Sequence, residues 1–244
     1  RVLFAVPWLG KVILGTTDTP RADAVREPQP FAEEVQFILR EAAGVLACAP
    51  SAADVRSCWV GLRPLVRPDA SGAGGGGTKG ISREHLVEIG ASGLVTVTGG
   101  KWTTYRSMAL DVLRRCAEQG LITTDTSEVT ANLPLVGVAV GAAPRLEGGW
   151  AAYGTERAAV QALPGADRWL AEGVSEAMVR FAARQEYART VEDVLARRSR
   201  LLFLDAAAAE RAAPAVAQVL HDETGRDPQA DAFTALARAW GRAS

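Results

Sequence analysis

The chain changes character near residue 125, and that change limits the folds open to it. Before it, short apolar runs of strand type alternate with Pro and Gly. After it the sequence becomes rich in Ala, and its apolar residues recur at helical spacing with no strand pattern. The expected class is therefore α+β, with a β-rich first part over residues 1–125 and an all-helical second part over 126–244.

Within the first part, Val2–Val6 and Lys11–Gly15 read as an antiparallel pair around Pro7-Trp8-Leu9-Gly10. Phe31 to Ala47 reads as a helix, with Phe31, Val35, Ile38, Leu39 and Ala42 on one face and Glu33 and Glu34 in the first turn. Asp54 to Leu65 is expected to carry another strand, centred on Ser57–Val60. The Gly-rich run from Asp69 to Gly80 reads as a loop, and it lacks the GK[ST] ending of a phosphate loop. His85–Ile89 and Leu94–Thr98 read as a hairpin turned by Gly90–Gly93, and a helix follows to about Glu118. In the second part, helices are expected near 155–163, 166–172, 174–184, 190–199, 206–221 and 228–240.

Composition removes several functions. A formal net charge of −1 gives no electrostatic case for nucleic acid. Cys48, Cys58 and Cys116 form no CxxC pair and read as reduced thiols of a cytosolic protein. With His85 and His221 the only histidines, no His-rich metal site is expected. No apolar run reaches the ~18 residues that a membrane-spanning helix needs. The chain opens on Arg1 and runs at once into Val2–Val6, so residues are expected to precede it in the parent protein.

Three segments carry candidate chemistry. In Thr98-Gly99-Gly100-Lys101-Trp102-Thr103-Thr104-Tyr105-Arg106 a strand ends in two glycines and a helix begins at once. Helix starts expose unpaired N–H groups at the positive end of the dipole, the glycines admit close approach, and Lys101 adds a full charge; together these suit an anion. The plain alternative is an ordinary turn with Lys101 in solvent. In Gly61-Leu62-Arg63-Pro64-Leu65 an arginine sits among apolar neighbours at the end of an expected buried strand. A guanidinium there is costly unless it is paired with a phosphate or carboxylate, or held in a structural ion pair. Ser82-Arg83-Glu84-His85 is the third segment, where the plain reading is the stronger one: Arg83 as a solvated strand-start residue and His85 as a packed or surface histidine.

In this order, and with Arg1-Val-Leu-Phe-Ala-Val-Pro-Trp8 and Gly15-Thr-Thr-Asp18 ahead of them, these motifs resemble the flavin-dependent glycerol-3-phosphate dehydrogenases. Tyr187-Ala-Arg-Thr-Val-Glu-Asp-Val-Leu-Ala-Arg-Arg198 and Arg200-Leu-Leu-Phe-Leu-Asp205 resemble the C-terminal domain of the same family. The resemblance implies a D-amino-acid-oxidase-like flavoprotein fold, here its antiparallel substrate-binding region, followed by a helical domain. It implies FAD as cofactor, and oxidation of sn-glycerol 3-phosphate to dihydroxyacetone phosphate with electrons passed to a quinone. A cytoplasmic protein resting peripherally on the inner face of the plasma membrane is the matching location.

By the same resemblance Arg63, Arg83 and Lys101 bind the substrate, chiefly through its phosphate, and Lys101 and Arg63 carry the catalytic assignment. Gly99, Gly100, Lys101, Trp102, Thr103 and Thr104 face the flavin. His85 reads as structural rather than as the general base. The family's GxGxxG phosphate cradle is absent from this chain. The expectation is a portion without its FAD-binding Rossmann half, inactive alone. The competing readings are a related flavoenzyme for another hydroxy or amino acid, and a non-catalytic helical module that binds a partner.

Overall fold

The computed structural model describes residues 3–63, 84–123, 129–139 and 148–242. The chain forms two compact units. One comprises Arg1–Thr19, Val25–Val60 and Leu135–Ser244, and the other Pro20–Ala24 and Gly61–Pro134.

The first unit opens with a hairpin of β1 (Phe4–Trp8) and β2 (Lys11–Gly15), in antiparallel register from Phe4 opposite Gly15 to Trp8 opposite Lys11. Leu9 and Gly10 have φ of 48° and 77°, the left-handed pair that a two-residue hairpin turn requires. Helix α1 (Ala32–Ala43) buries Val35 and Ala42 and stops at Gly44. It is shorter than the sequence spacing suggests, because Val45 and Leu46 donate back to Ala42 in a closing turn instead of continuing the helix.

The strand expected around Ser57–Val60 does not form. That stretch is extended but pairs with no strand among the described residues. Its backbone bonds go elsewhere: the Cys58 N–H donates to the Trp240 carbonyl at 2.8 Å, and the Ala206 N–H donates to the Arg56 carbonyl at 3.1 Å. Buried backbone polar groups must find partners, and here helix ends supply them.

The second unit holds a hairpin of β3 (His85–Ile89) and β4 (Val95–Gly99), with His85 opposite Gly99 and Ile89 opposite Val95. A single 3-10 turn, Trp102–Thr104, leads into helix α2 (Tyr105–Glu118). Among the described residues of this unit, Val87 from β3 and Leu110 and Cys116 from α2 are the buried apolar ones. Gly120, at φ 69°, ends the helix as the sequence suggests.

The remaining elements return to the first unit. They are α3 (Arg157–Gln161), β5 (Trp169–Ala171), β6 (Val174–Ser175), α4 (Glu176–Gln185), a π-helical turn (Asp193–Arg198), α5 (Leu201–Leu204), α6 (Ala206–Thr224) and α7 (Ala230–Trp240). The expected helix at 166–172 is instead the first strand of a small antiparallel hairpin, so the second part is mainly but not wholly helical. Gly165 and Gly173, at φ 82° and 72°, break the helical path on either side of it. The Glu176 N–H donates to the Arg168 carbonyl at 2.9 Å to close the loop.

The main core lies among α4, the π turn, α5, α6 and α7, around Val179, Leu195, Leu202, Val216, Leu220 and Phe233. Alanines at 182, 183, 209 and 213 are buried there, and their small side chains let the helices approach closely. Two side-chain caps fix the helix starts. The Ser175 hydroxyl accepts from the Met178 N–H at 3.4 Å, and the Asp205 carboxylate accepts from the Ala208 N–H at 2.8 Å.

Candidate functional site

The turn between β4 and α2 gathers most of the expected site residues. Gly99 ends the strand with φ 75° and Gly100 follows with φ 82°, both in the region that favours glycine. Gly100 is also tightly enclosed. A Cβ placed there would stand 2.6 Å from Met108 Sδ and Cε and 3.1 Å from His85 Cβ. The turn therefore has glycine for two reasons, its backbone angle and the side chains beside it.

Lys101 caps the 3-10 turn with extended backbone, and its carbonyl accepts from the Thr104 N–H and the Thr104 hydroxyl, both at 3.0 Å. The first N–H groups of a helix have no acceptor within it, and in this turn those are the N–H groups of Trp102 and Thr103. Lys101, Trp102, Thr103 and Thr104 are all exposed. Trp102 is 86% exposed and stacks on Tyr105 at 5.4 Å between ring centroids. An aromatic pair this open at a helix start is a surface suited to a planar group.

Arg106 sits in the first turn of α2. Its Nη1 is buried and meets no acceptor among the described residues. A buried guanidinium nitrogen without an acceptor is rare in folded proteins and points to an electron-rich group beyond the described residues. A lysine cation at the helix start and this unmatched donor on the following turn are donor chemistry of the kind an anionic or oxygen-rich group such as FAD takes.

His85, opposite Gly99, is held by α2: its Nε2 lies 3.0 Å from Asp111 Oδ2, and Asp111 also has Arg115 at 3.6 Å. Asp111 carries no motif of its own. The cue available in the sequence is its place two turns into the helix that follows the Gly-Gly pair, on the face that meets the strand start.

Arg63 belongs to the same compact unit as this turn, but it is exposed and the stretch before it is not a buried strand. The argument from the cost of burying its charge therefore does not hold for it. Arg83 lies outside the described residues; Glu84 after it is exposed. Among the described residues no group of His, Cys, Asp and Glu could hold a metal ion.

Residues 1–106 match the family described as FAD dependent oxidoreductase, and residues 128–231 match the C-terminal domain of alpha-glycerophosphate oxidase. The two matches, in this order, define the class: an FAD-dependent oxidoreductase fold extended by a helical C-terminal domain. Similar proteins include the probable mitochondrial glycerol-3-phosphate dehydrogenase of Caenorhabditis elegans, 39% identical over 92% of this chain and 34% of its own length. The mitochondrial glycerol-3-phosphate dehydrogenase of Bos taurus is 36% identical over 93% of this chain and 34% of its own. That of Arabidopsis thaliana is 34% identical over 91% and 40%. Within the class, the chain belongs to the FAD-dependent glycerol-3-phosphate dehydrogenase family. It spans about a third of the length of these relatives.

Proposed function

We propose that this chain is the substrate-binding portion and helical domain of a flavoenzyme that oxidises sn-glycerol 3-phosphate to dihydroxyacetone phosphate. The functional division falls near residue 125, with residues 1–125 on the substrate and flavin side. FAD, when bound, supplies the hydride acceptor. What this chain contributes is the surroundings.

Lys101, Arg63 and Arg83 provide three cations for the substrate phosphate, which as a dianion needs several convergent donors. Lys101, beside the helix start, also lies where it can orient the substrate toward the flavin. Gly99, Gly100 and the Trp102-Thr103-Thr104 turn present backbone N–H groups and the positive end of the α2 dipole to the flavin edge. Such fixed dipoles stabilise negative charge without reorganising. Arg106 Nη1 adds a buried donor on the same helix turn.

A quinone would be the acceptor of the electrons that FAD, when bound, takes up, and the enzyme would then rest peripherally at a membrane face. No helix among the described residues is long and apolar enough to cross a membrane. The Rossmann-type phosphate cradle for FAD has no counterpart in this sequence, so the cofactor is held jointly with sequence that the longer relatives carry and this chain does not match.

The observation that carries this reading is the Gly99–Thr104 turn: two left-handed glycines and an exposed lysine at the helix start where β4 joins α2, inside the stretch that matches the FAD-dependent oxidoreductases. The test is dye reduction by the protein expressed from its complete gene, with glycerol 3-phosphate against unphosphorylated glycerol. Preference for the phosphorylated substrate by a factor of about 100 or more is expected from loss of charge-assisted bonds. Arg63→Ala should raise KM about tenfold or more; equal use of the two substrates, or unchanged kinetics in the variant, would remove the assignment.

A further inference from the structure

We propose that the cavity bounded by β2, α1 and the Ser57–Trp59 stretch binds a small amphiphilic anion, a compact apolar body ending in one carboxylate. The cavity lies wholly within the first compact unit, whereas the Gly99–Thr104 turn belongs to the second. The inference goes beyond the substrate reading given above and does not depend on it.

The cavity measures about 310 Å³, which reaches the lower end of pockets that hold small molecules, roughly 300 to 1,000 Å³. Packed interiors leave few voids larger than a water molecule, so a space of this size is not an ordinary packing defect. Its lining is mainly apolar: Leu14 from β2, Val35 and Leu39 from α1, Trp59 from the extended stretch and Phe203 from α5. The Trp59 and Phe203 rings meet edge-on at 5.1 Å, which fixes the shape of that side. A cavity with such a lining stays dry or takes an apolar guest, and its volume limits the guest to a short chain or a single ring.

Polar residues of the lining set the guest's head group. Ser57 is one of them, and its hydroxyl oxygen is buried without a hydrogen-bond partner. An unmatched buried hydroxyl is costly, and because it both donates and accepts, a guest that carries oxygen can satisfy it. Lys11 and Arg56 also line the cavity; both are exposed, so it opens to solvent, and neither forms an ion pair among the described residues. The carboxylate of the lining, Asp54, is already engaged: its Oδ2 accepts from the Ser51 hydroxyl at 2.7 Å and the Ser51 N–H at 2.9 Å. Those bonds hold its carboxyl below the ordinary value, with the Arg56 charge adding a smaller effect. Two cations against one engaged carboxylate leave the opening positive, which favours an anionic head and disfavours an amine.

The experiment uses the protein expressed from its complete gene, with octanoate as the probe and 1-octanol and octylamine as its uncharged and cationic counterparts. Equilibrium dialysis measures binding. Cys58 supplies a second reading, since it lines the cavity and its thiol is held above the ordinary value, first by burial and then by the Glu34 charge. N-ethylmaleimide labelling of Cys58 at mildly alkaline pH, followed by mass spectrometry of its peptide, therefore reports whether the cavity is filled. Octanoate should bind saturably, at least about tenfold more tightly than either counterpart, and should slow the labelling about fivefold or more near saturation. Lys11→Glu combined with Arg56→Glu should weaken octanoate about tenfold. Ser57→Ala should weaken it about fivefold with Tm unchanged, because losing an unmatched hydroxyl costs the fold nothing. Leu39→Trp, which fills the cavity, should abolish binding.

If Leu39→Trp folds poorly, the Ser57 and Lys11/Arg56 variants carry the test. Absence of saturable octanoate binding overturns the proposal, and so does 1-octanol binding as tightly as octanoate. Octanoate affinity unchanged in both the Ser57 and the Lys11/Arg56 variants overturns it as well. Glycerol 3-phosphate lacks the apolar body and should not displace octanoate; displacement would assign the bound octanoate to the substrate site and not to this cavity.

Discussion

Trp59 stacks on Trp240, with ring centroids 6.0 Å apart and planes inclined by 23°. The pairing is reinforced by the backbone, since the Cys58 N–H donates to the Trp240 carbonyl. Phe203 meets both rings edge-on, at 5.1 Å from Trp59 and 5.0 Å from Trp240, and also meets Trp8 of the first hairpin at 6.5 Å. Four aromatic residues from the hairpin, the extended stretch, α5 and the end of α7 thus form one cluster. It joins segments nearly two hundred residues apart in sequence and lies within one compact unit.

Removing one member of that cluster should be costly. Trp240→Ala deletes two ring contacts and leaves a void that the surrounding helices cannot fully close. A loss of about 3 kcal/mol is expected from large-to-small substitution at a packed aromatic. Trp240→Phe keeps one ring and should cost about 1 kcal/mol. Urea unfolding followed by circular dichroism measures both, and equal stability of the two variants would mean that the cluster does not bind the segments together.

Much of this arrangement was legible in sequence, and the reasons for the rest are local. The alternation in Val95-Thr96-Val97-Thr98 gave the second hairpin, and the long apolar periodicity of 206–221 gave α6, which runs on to Thr224 with Pro214 inside it. Residues 166–172 misled because Trp169-Leu-Ala is too short a run for periodicity to separate helix from strand. The flanking glycines, which take left-handed angles, were the better guide. Ser57-Cys58-Trp59-Val60 has strand composition, yet Cys58 bonds to Trp240 and the preceding Arg56 to Ala206, partners that no local pattern reveals. At the candidate site, the Gly-Gly-Lys turn was visible as a strand-to-helix junction. Asp111 was not, since one carboxylate on an amphipathic helix looks like any solvated residue until His85 is seen beside it.

The cap of α6 gives a smaller, separable prediction. Asp205 Oδ1 accepts from the Ala208 N–H at 2.8 Å, satisfying one of the donors left open at the helix start. Asp205→Ala should lower stability by about 1 kcal/mol and Asp205→Asn by a few tenths, because Asn still accepts the bond. The comparison is read from thermal unfolding. If the alanine variant matches the parent, the cap is not contributing.

Acid should weaken the helical part through a defined network. Glu176 is held below the ordinary value of 4.5 first by its hydrogen bond from Arg180, with burial opposing and Arg168 adding to the effect. Glu223 is held below 4.5 first by Arg184, with burial opposing and Arg180 contributing next. With folded values depressed, the unfolded chain takes up protons first as pH falls. The stabilisation is therefore complete above about pH 4.5 and is lost as pH drops from there through the folded values. Glu186 works in the opposite sense: burial pushes its carboxyl up, so its contribution is fullest below 4.5 and is lost as pH rises through its folded value. Urea midpoints taken at neutral pH and at about pH 3.5 should differ less in Glu223→Gln than in the parent. An identical pH dependence in the two proteins would exclude the network as the acid-sensitive element.

Gly100 offers the sharpest test of the candidate site, because two independent constraints meet there and can be separated. Its φ of 82° is strained for any residue with a Cβ, and that Cβ would come within 2.6 Å of Met108 Sδ and Cε. The thioether is flexible and can move aside, whereas the backbone angle cannot relax without re-aiming Lys101. Gly100→Ala is expected to cost about 2 kcal/mol in stability and to lower kcat/KM for glycerol 3-phosphate by at least about tenfold. Adding Met108→Ala to the same protein removes the severe conflict with the thioether but leaves the backbone strain and the 3.1 Å approach of His85 Cβ. The double variant should therefore recover little of the lost activity. Full recovery would show that crowding by Met108, and not the left-handed turn, is what requires glycine, and the direction in which Lys101 leaves the strand would then not depend on that angle.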